Sequence, residues 1–104
     1  MKRYLAAFAA LATTIFVSAP AMADAALATA KNCTSCHAVD KKVLGPSYKE
    51  VAVKYAGQAD AVDKLAGKIM KGGAGAWGPV PMPANAQVSA DEAKKLVTWI
   101  LTLK

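Results

Sequence analysis

Cys33-Thr34-Ser35-Cys36-His37 places both thiols and the only imidazole of the chain within five residues. Two thiols three residues apart lie on one turn of backbone, where each can add to a vinyl group of a haem and form a thioether. The adjacent imidazole is then delivered beneath the iron as its proximal ligand. C-x-x-C-H at this spacing is the attachment signature of a c-type haem. Three plainer readings compete with it. A thioredoxin-like pair needs a βαβ context, and the pattern described below has none. A structural zinc site takes four Cys or His ligands, whereas this chain holds three in total. A disulfide, the ordinary use of two cysteines in an exported chain, leaves His37 beside the pair by coincidence.

Export itself is read from the start of the chain. Lys2 and Arg3 form a positive segment, Leu5 to Pro20 an apolar one, and Ala21-Met22-Ala23 a small-residue cleavage site before Asp24. Together they read as a secretory signal peptide over residues 1–23. The alternative is an uncleaved membrane anchor, but a bilayer span needs roughly 20 apolar residues, and the uninterrupted run here is shorter. Without the leader, 81 of the 104 residues remain, a single domain over 24–104. The expected location is the periplasm. At this size an apolar core alone gives marginal stability and a staple or cofactor is commonly needed, so the chain without its haem is expected to be largely unfolded.

Taking Lys2 and Arg3 from the thirteen Lys and Arg leaves eleven lysines against seven acids, a formal +4. The lysines are spread along the chain without an arginine cluster or interleaved aromatics, which argues against nucleic acid. The charge suits solubility and mild steering toward acidic partners.

The pattern is helical throughout. Ser47-Tyr48-Lys49-Glu50 and Ser89-Ala90-Asp91-Glu92 both match the capping box, and Asp60 offers a third N-cap. Val62, Leu65, Ala66 and Ile69 fall at i, i+3, i+4, i+7, as do Ala93, Leu96, Val97 and Ile100. Helices are predicted over 48–56, 61–71 and 90–103, with another over about 25–32 where Ala is plentiful. Gly72-Gly73 ends the helix over 61–71. No segment has the alternation and turn pairing of a hairpin, so the fold class is all-α. Gly73 to Val88 is a long loop for so small a domain, with Pro79, Pro81 and Pro83, and such loops are usually functional.

The identity of the second axial ligand separates carriers from enzymes. His37 is the only histidine, and Met1 and Met22 leave with the leader, so Met70 and Met82 are the thioethers that remain. Met70 sits near the end of a helix, a usual place for packing. Met82 lies in Pro81-Met82-Pro83, where the flanking prolines stiffen the backbone and can hold one side chain at a fixed point. His37 and Met82 are the predicted iron ligands. With both axial positions filled, no site remains for oxygen or peroxide, and outer-sphere electron transfer is what is left.

In Cys33–His37, Leu44-Gly45-Pro46, Lys54-Tyr55-Ala56-Gly57, Ala76-Trp77-Gly78, Pro81-Met82-Pro83 with Asn85, and Asp91-Glu92-Ala93 with Trp99, the chain resembles the short class I cytochromes c of bacteria, the cytochrome c-551/c-552 group. The resemblance spans essentially all of 24–104. It implies about four helices wrapped around one haem c bound covalently through Cys33 and Cys36. It implies that the Pro46 carbonyl accepts the second ring N–H of His37, that Trp77 donates to a haem propionate with Lys68 as a helper, and that Asn85 steadies the Met82 sulfur. Two features stand apart from the group: Gln87 lengthens the stretch between Asn85 and the Ser89 cap, and Met70 occupies a position that is polar in relatives. The resemblance further implies a haem edge ringed by Val43, Leu44, Pro79, Val80, Pro81 and Pro83, an apolar patch with lysines around it that suits brief docking.

The expected function is that of a monomeric electron carrier and not an enzyme, moving single electrons between redox proteins. A quinol-oxidising complex upstream, and an oxidase, nitrite reductase or peroxidase downstream, are all compatible with it. Two alternatives stand beside it: a haem enzyme or small-ligand sensor in which Met82 is displaced, and a donor subunit permanently bound to one enzyme.

Overall fold

The computed structural model describes residues 10–14 and 20–104. In chain order it contains α1 (Pro20–Ala30), a 3-10 turn (Cys33–Ser35), α2 (Tyr48–Lys54), α3 (Ala61–Lys71) and α4 (Ala90–Ile100). No strand forms among the described residues. Two isolated bridges, His37 with Lys42 and Gly73 with Met82, are the only ladder-like pairings there.

Both predicted capping boxes are present. In α2 the Glu50 amide donates to Ser47 Oγ (3.1 Å) and the Ser47 amide to Glu50 Oε2 (2.9 Å). In α4 the Glu92 amide donates to Ser89 Oγ (3.2 Å) and the Ser89 amide to Glu92 Oε1 (3.0 Å). Each box satisfies donors that the first turn would otherwise leave free. Asp60 takes the N-cap position of α3, but its side chain makes no capping bond. Its backbone (φ −94°, ψ 4°) is turn-like rather than extended, whereas a capping side chain works from the extended region.

Four helix ends differ from the expectation, each for a local reason. α1 begins at Pro20, whose fixed φ suits a first helical position, and stops at Ala30 because Asn32 turns left-handed (φ 64°). It therefore runs across the Ala23–Asp24 junction where cleavage is predicted; residues 1–9 and 15–19 of that leader lie outside the described residues. α2 ends at Lys54, and the chain then turns at Gly57 (φ +76°). Past Ile100 the bonds tighten to i→i+3: the Thr102 amide donates to Trp99 O (2.9 Å) and that of Leu103 to Ile100 O (3.0 Å).

α4 is the hub. It packs most extensively on α3 and also meets α1 and α2. Its Leu96 and Val97 are the largest fully buried side chains, joined in the core by Ala28 of α1, Tyr48 of α2 and Ile69 of α3. Truncating such a leucine to alanine costs on the order of 2–5 kcal/mol. Among the described residues no helix is long and apolar enough to cross a membrane.

The Glu92 carboxyl is held below its ordinary range, first by the Ser89 amide and then by Lys31, whose Nζ lies 3.2 Å from Oε2. A depressed folded-state value means that ionised Glu92 stabilises the fold above the ordinary glutamate value of 4.5, and that this contribution is lost as pH falls through the lower folded value. Glu92→Gln is expected to lower the melting temperature at neutral pH and to shrink its fall between about pH 5 and about pH 3. Melting curves that stay parallel to the parent's across that window would count against the assignment.

Candidate functional site

The attachment turn is built by its own backbone. The Cys36 amide (3.2 Å) and the His37 amide (3.0 Å) both donate to Cys33 O, closing the 3-10 turn immediately after left-handed Asn32. Cys33 and Cys36 are both half-buried and are not joined to each other. Burial pushes the Cys33 thiol above its ordinary value, against a lowering backbone hydrogen bond and with a further raise from Cys36.

His37 is held from three directions. Its Nδ1 lies 2.7 Å from Pro46 O. A carbonyl only accepts, so Nδ1 carries the proton, and Nε2 is left as the lone-pair nitrogen. Gly45, whose amide donates to Cys36 O (2.8 Å), lies against the ring so closely that a Cβ there would fall 2.8 Å from Nδ1 and closer still to Cε1. On another side the Tyr48 ring stacks at 5.6 Å between centroids and 26° between planes, and Trp99 of α4 meets Tyr48 edge-on at 5.4 Å. Burial, with a smaller contribution from Cys33, pushes the Tyr48 phenol up to about 12. Tyr48 Oη and Trp99 Nε1 are buried without a hydrogen-bond partner among the described residues.

Met82 stands on the loop between α3 and α4, half-buried against the same core cluster that Cys33 borders. A two-way backbone pair pins it: the Gly73 amide donates to Met82 O (3.0 Å) and the Met82 amide to Gly73 O (2.8 Å). The approach requires glycine at Gly72 (φ +72°), where a Cβ would come 2.8 Å from the Ala84 nitrogen. Asn85 reinforces the pin. Its Nδ2 donates to Ile69 O (3.0 Å) and Pro83 O (3.3 Å), and its backbone amide to Ile69 O (3.1 Å). Both protons of the Asn85 amide are thus directed at carbonyls, one at the end of α3 and one beside Met82.

The remaining expected residues lie toward the surface. Trp77 is 42% exposed and is covered on one face by Lys54, whose Nζ sits 4.4 Å from the ring centroid and donates to Ala76 O at 2.8 Å. Lys68 is half-buried and reaches Gly73. Met70 is exposed, away from the core cluster.

The Cytochrome c family model matches residues 22–104. The chain belongs to the cytochrome c family. It is 53% identical over 91 residues to cytochrome c-551 of Allochromatium vinosum, covering 88% of this chain and 97% of that protein. Identity to cytochrome c-552 of Nitrosomonas europaea is 52% over 101 residues, covering 97% and 96%. The crystal structure of wild-type Nitrosomonas europaea cytochrome c552 superposes with a TM-score of 0.75 at 54% identity, over 77% of this chain and 99% of that one. The fold is therefore the class I cytochrome c fold, and the cofactor is a haem c bound covalently through Cys33 and Cys36. Cytochromes c are small electron carriers that act with redox partners. The donor set fits the group: two thiols on one turn, and beside them an imidazole whose Nδ1 proton is already engaged.

Two contributors to the cytochrome's site carry weak sequence signals. Gly45 sits visibly between Leu44 and Pro46, yet nothing local says that its missing side chain makes room for His37. Tyr48 reads as the first residue of a capped helix; its stacking on His37 depends on tertiary contact. Gly45→Ala is expected to destabilise the haem-loaded protein by about 1–3 kcal/mol through overpacking, and to disturb the His37–Pro46 bond. Denaturant unfolding together with the spectrum of the ferric protein checks this; parental values in both would show that the ring has room to give.

Proposed function

We propose that the protein is a monomeric, periplasmic single-haem carrier in which His37 and Met82 fill both axial positions of the iron. The observation that carries this reading is the engagement of His37 Nδ1 by Pro46 O at 2.7 Å, which leaves Nε2 for the metal. Fixing the second nitrogen in this way sets the orientation of the ring and raises its basicity as a ligand. When bound, the haem supplies a one-electron ferrous–ferric couple.

Met82 fits the opposite side because its loop is pinned at both of its backbone groups. Thioether ligation favours ferrous iron and raises the potential. With both positions held, oxygen and peroxide have no place to bind, and the residues that remain for function are those at the surface. Trp77, in the long loop, suits a hydrogen bond to a haem propionate, with Lys68 of α3 as a helper. In this reading the chain matures by loss of residues 1–23, so that Asp24 becomes its first residue.

Val43, Leu44 and Val80 are 48%, 63% and 64% exposed, and in this reading they form the apolar docking patch at the haem edge. Lys41, Lys42, Lys49 and Lys54 line a shallow depression with Trp77 and outnumber the two acids there, Asp40 and Glu50. An apolar contact with lysines near it suits brief encounters with acidic partners: a quinol-oxidising complex as donor, and an oxidase, nitrite reductase or peroxidase as acceptor.

The deciding experiment is the visible spectrum of the exported protein, oxidised and reduced, beside Met82→Ala and Met70→Ala. A c-type spectrum with the weak ferric methionine–iron band is expected, lost in Met82→Ala and kept in Met70→Ala. A parent without that band would transfer the reading to an open-iron enzyme or sensor. Val80→Lys, with an unchanged spectrum, is expected to slow electron exchange with a partner by about tenfold or more, since an unpaired ammonium in an apolar contact must be desolvated on docking. Undiminished exchange would remove the patch from the docking surface.

A further inference from the structure

Gln87 touches neither thiol nor His37, yet three segments meet at its side chain. Both protons of Nε2 are used: one goes to Lys31 O (3.2 Å), the other to Asn85 Oδ1 (3.1 Å). Lys31 answers from the far side of the contact, where its Nζ donates to Gln87 O (3.0 Å) and lies 3.2 Å from Glu92 Oε2. Lys31 stands two residues before Cys33, directly after α1. Asn85 carries the connection onward to Ile69 O and Pro83 O, and Pro83 adjoins Met82. An unbroken run of hydrogen bonds thus joins the segment leading into the attachment turn to the loop that holds Met82, across 56 residues of sequence.

We propose that Gln87 is a positioning residue that keeps the Met82 loop closed over the iron. The inference rests on the reading of Met82 as the distal ligand. Removing the Gln87 amide would leave Lys31 Nζ to Gln87 O as the one hydrogen bond from the stretch between Asn85 and Ser89 to the α1 end, beside the packing of buried Val88 in the core. Asn85 Oδ1 would lose its donor at the same time. A loop held by fewer bonds opens more often without the whole molecule unfolding. A small ligand that competes for the iron binds in proportion to that open fraction, so its affinity reports the latch directly.

The test is titration of the ferric, haem-loaded protein with imidazole, followed by loss of the methionine–iron band, in the parent, Gln87→Ala and Leu103→Ala. Leu103 is half-buried against the core and makes no part of the latch; its truncation lowers global stability, which denaturant unfolding measures in all three proteins. Gln87→Ala is expected to bind imidazole about three- to tenfold more tightly than the parent, the effect of losing one or two modest hydrogen bonds. Leu103→Ala is expected to bind it as the parent does despite its lower stability. Parental imidazole affinity in Gln87→Ala would overturn the proposal. So would a rise in both variants in step with their loss of stability, which would make Gln87 a general stabiliser. A parent without the band, or a band that survives Met82→Ala, would instead overturn the ligation reading on which the proposal rests.

Discussion

The orientation of one imidazole governs the arrangement of the site. A ligand ring that can rotate presents its lone pair at a variable angle, and a bond to Nδ1 is the usual means of stopping it. Here that bond goes to a backbone carbonyl, Pro46 O, in a segment whose own position is set by the helix that follows it. Ser47 caps α2, and Tyr48, the first residue of α2, stacks on the ring. The start of one short helix thus delivers an acceptor and an aromatic wall from three consecutive residues. Trp99 presses Tyr48 from behind, so the proximal side is continuous with the core around α4. Gly45 completes the cage by having no side chain.

The opposite side is held by different means. No helix carries Met82, and the prolines that flank it remove donors as well as freedom. What fixes the loop is backbone pairing with Gly73, supported by Asn85 at the last carbonyls of α3. Those carbonyls are the groups a helix end leaves without intrahelical partners. Ending α3 on Gly72 and Gly73 therefore serves two needs: it terminates the helix, and it lets the returning chain approach closely enough to use the exposed acceptors.

The parts legible in the sequence are those with local causes. The attachment motif, both capping boxes, the amphipathic faces of α3 and α4, and the stop at Gly72 all follow from residues a few positions apart. The Pro46 contact to His37 was implied by family resemblance, and the hydrogen bond has the expected partners. The helix ends at Lys54 and Ile100 were less legible, because positive φ at Gly57 and i→i+3 tightening after Trp99 compete with a periodic pattern that continues past them. Asp60 shows the limit of residue type alone: the right residue stands at the cap, but its backbone conformation does not present the carboxylate. Contacts between distant segments, such as Tyr48 with Trp99 or Lys31 with Gln87, have no local signature at all.

The two sides also differ in how they would fail. Disturbing the proximal cage means moving Tyr48 and Trp99, which belong to the buried cluster, so it cannot be separated from the stability of the whole domain. The distal loop is fastened by hydrogen bonds between exposed or half-exposed groups, each individually modest. Local opening is drawn from such weakly buried segments. On the proposed His37/Met82 ligation, a carrier of single electrons has to keep the same ligands in both oxidation states, and the Met82 loop is where that requirement is least protected by the core. The concentration of side-chain amides at Asn85 and Gln87 fits this demand: each uses both of its protons on fixed acceptors, and together they tie a loop without secondary structure to the ends of α1 and α3.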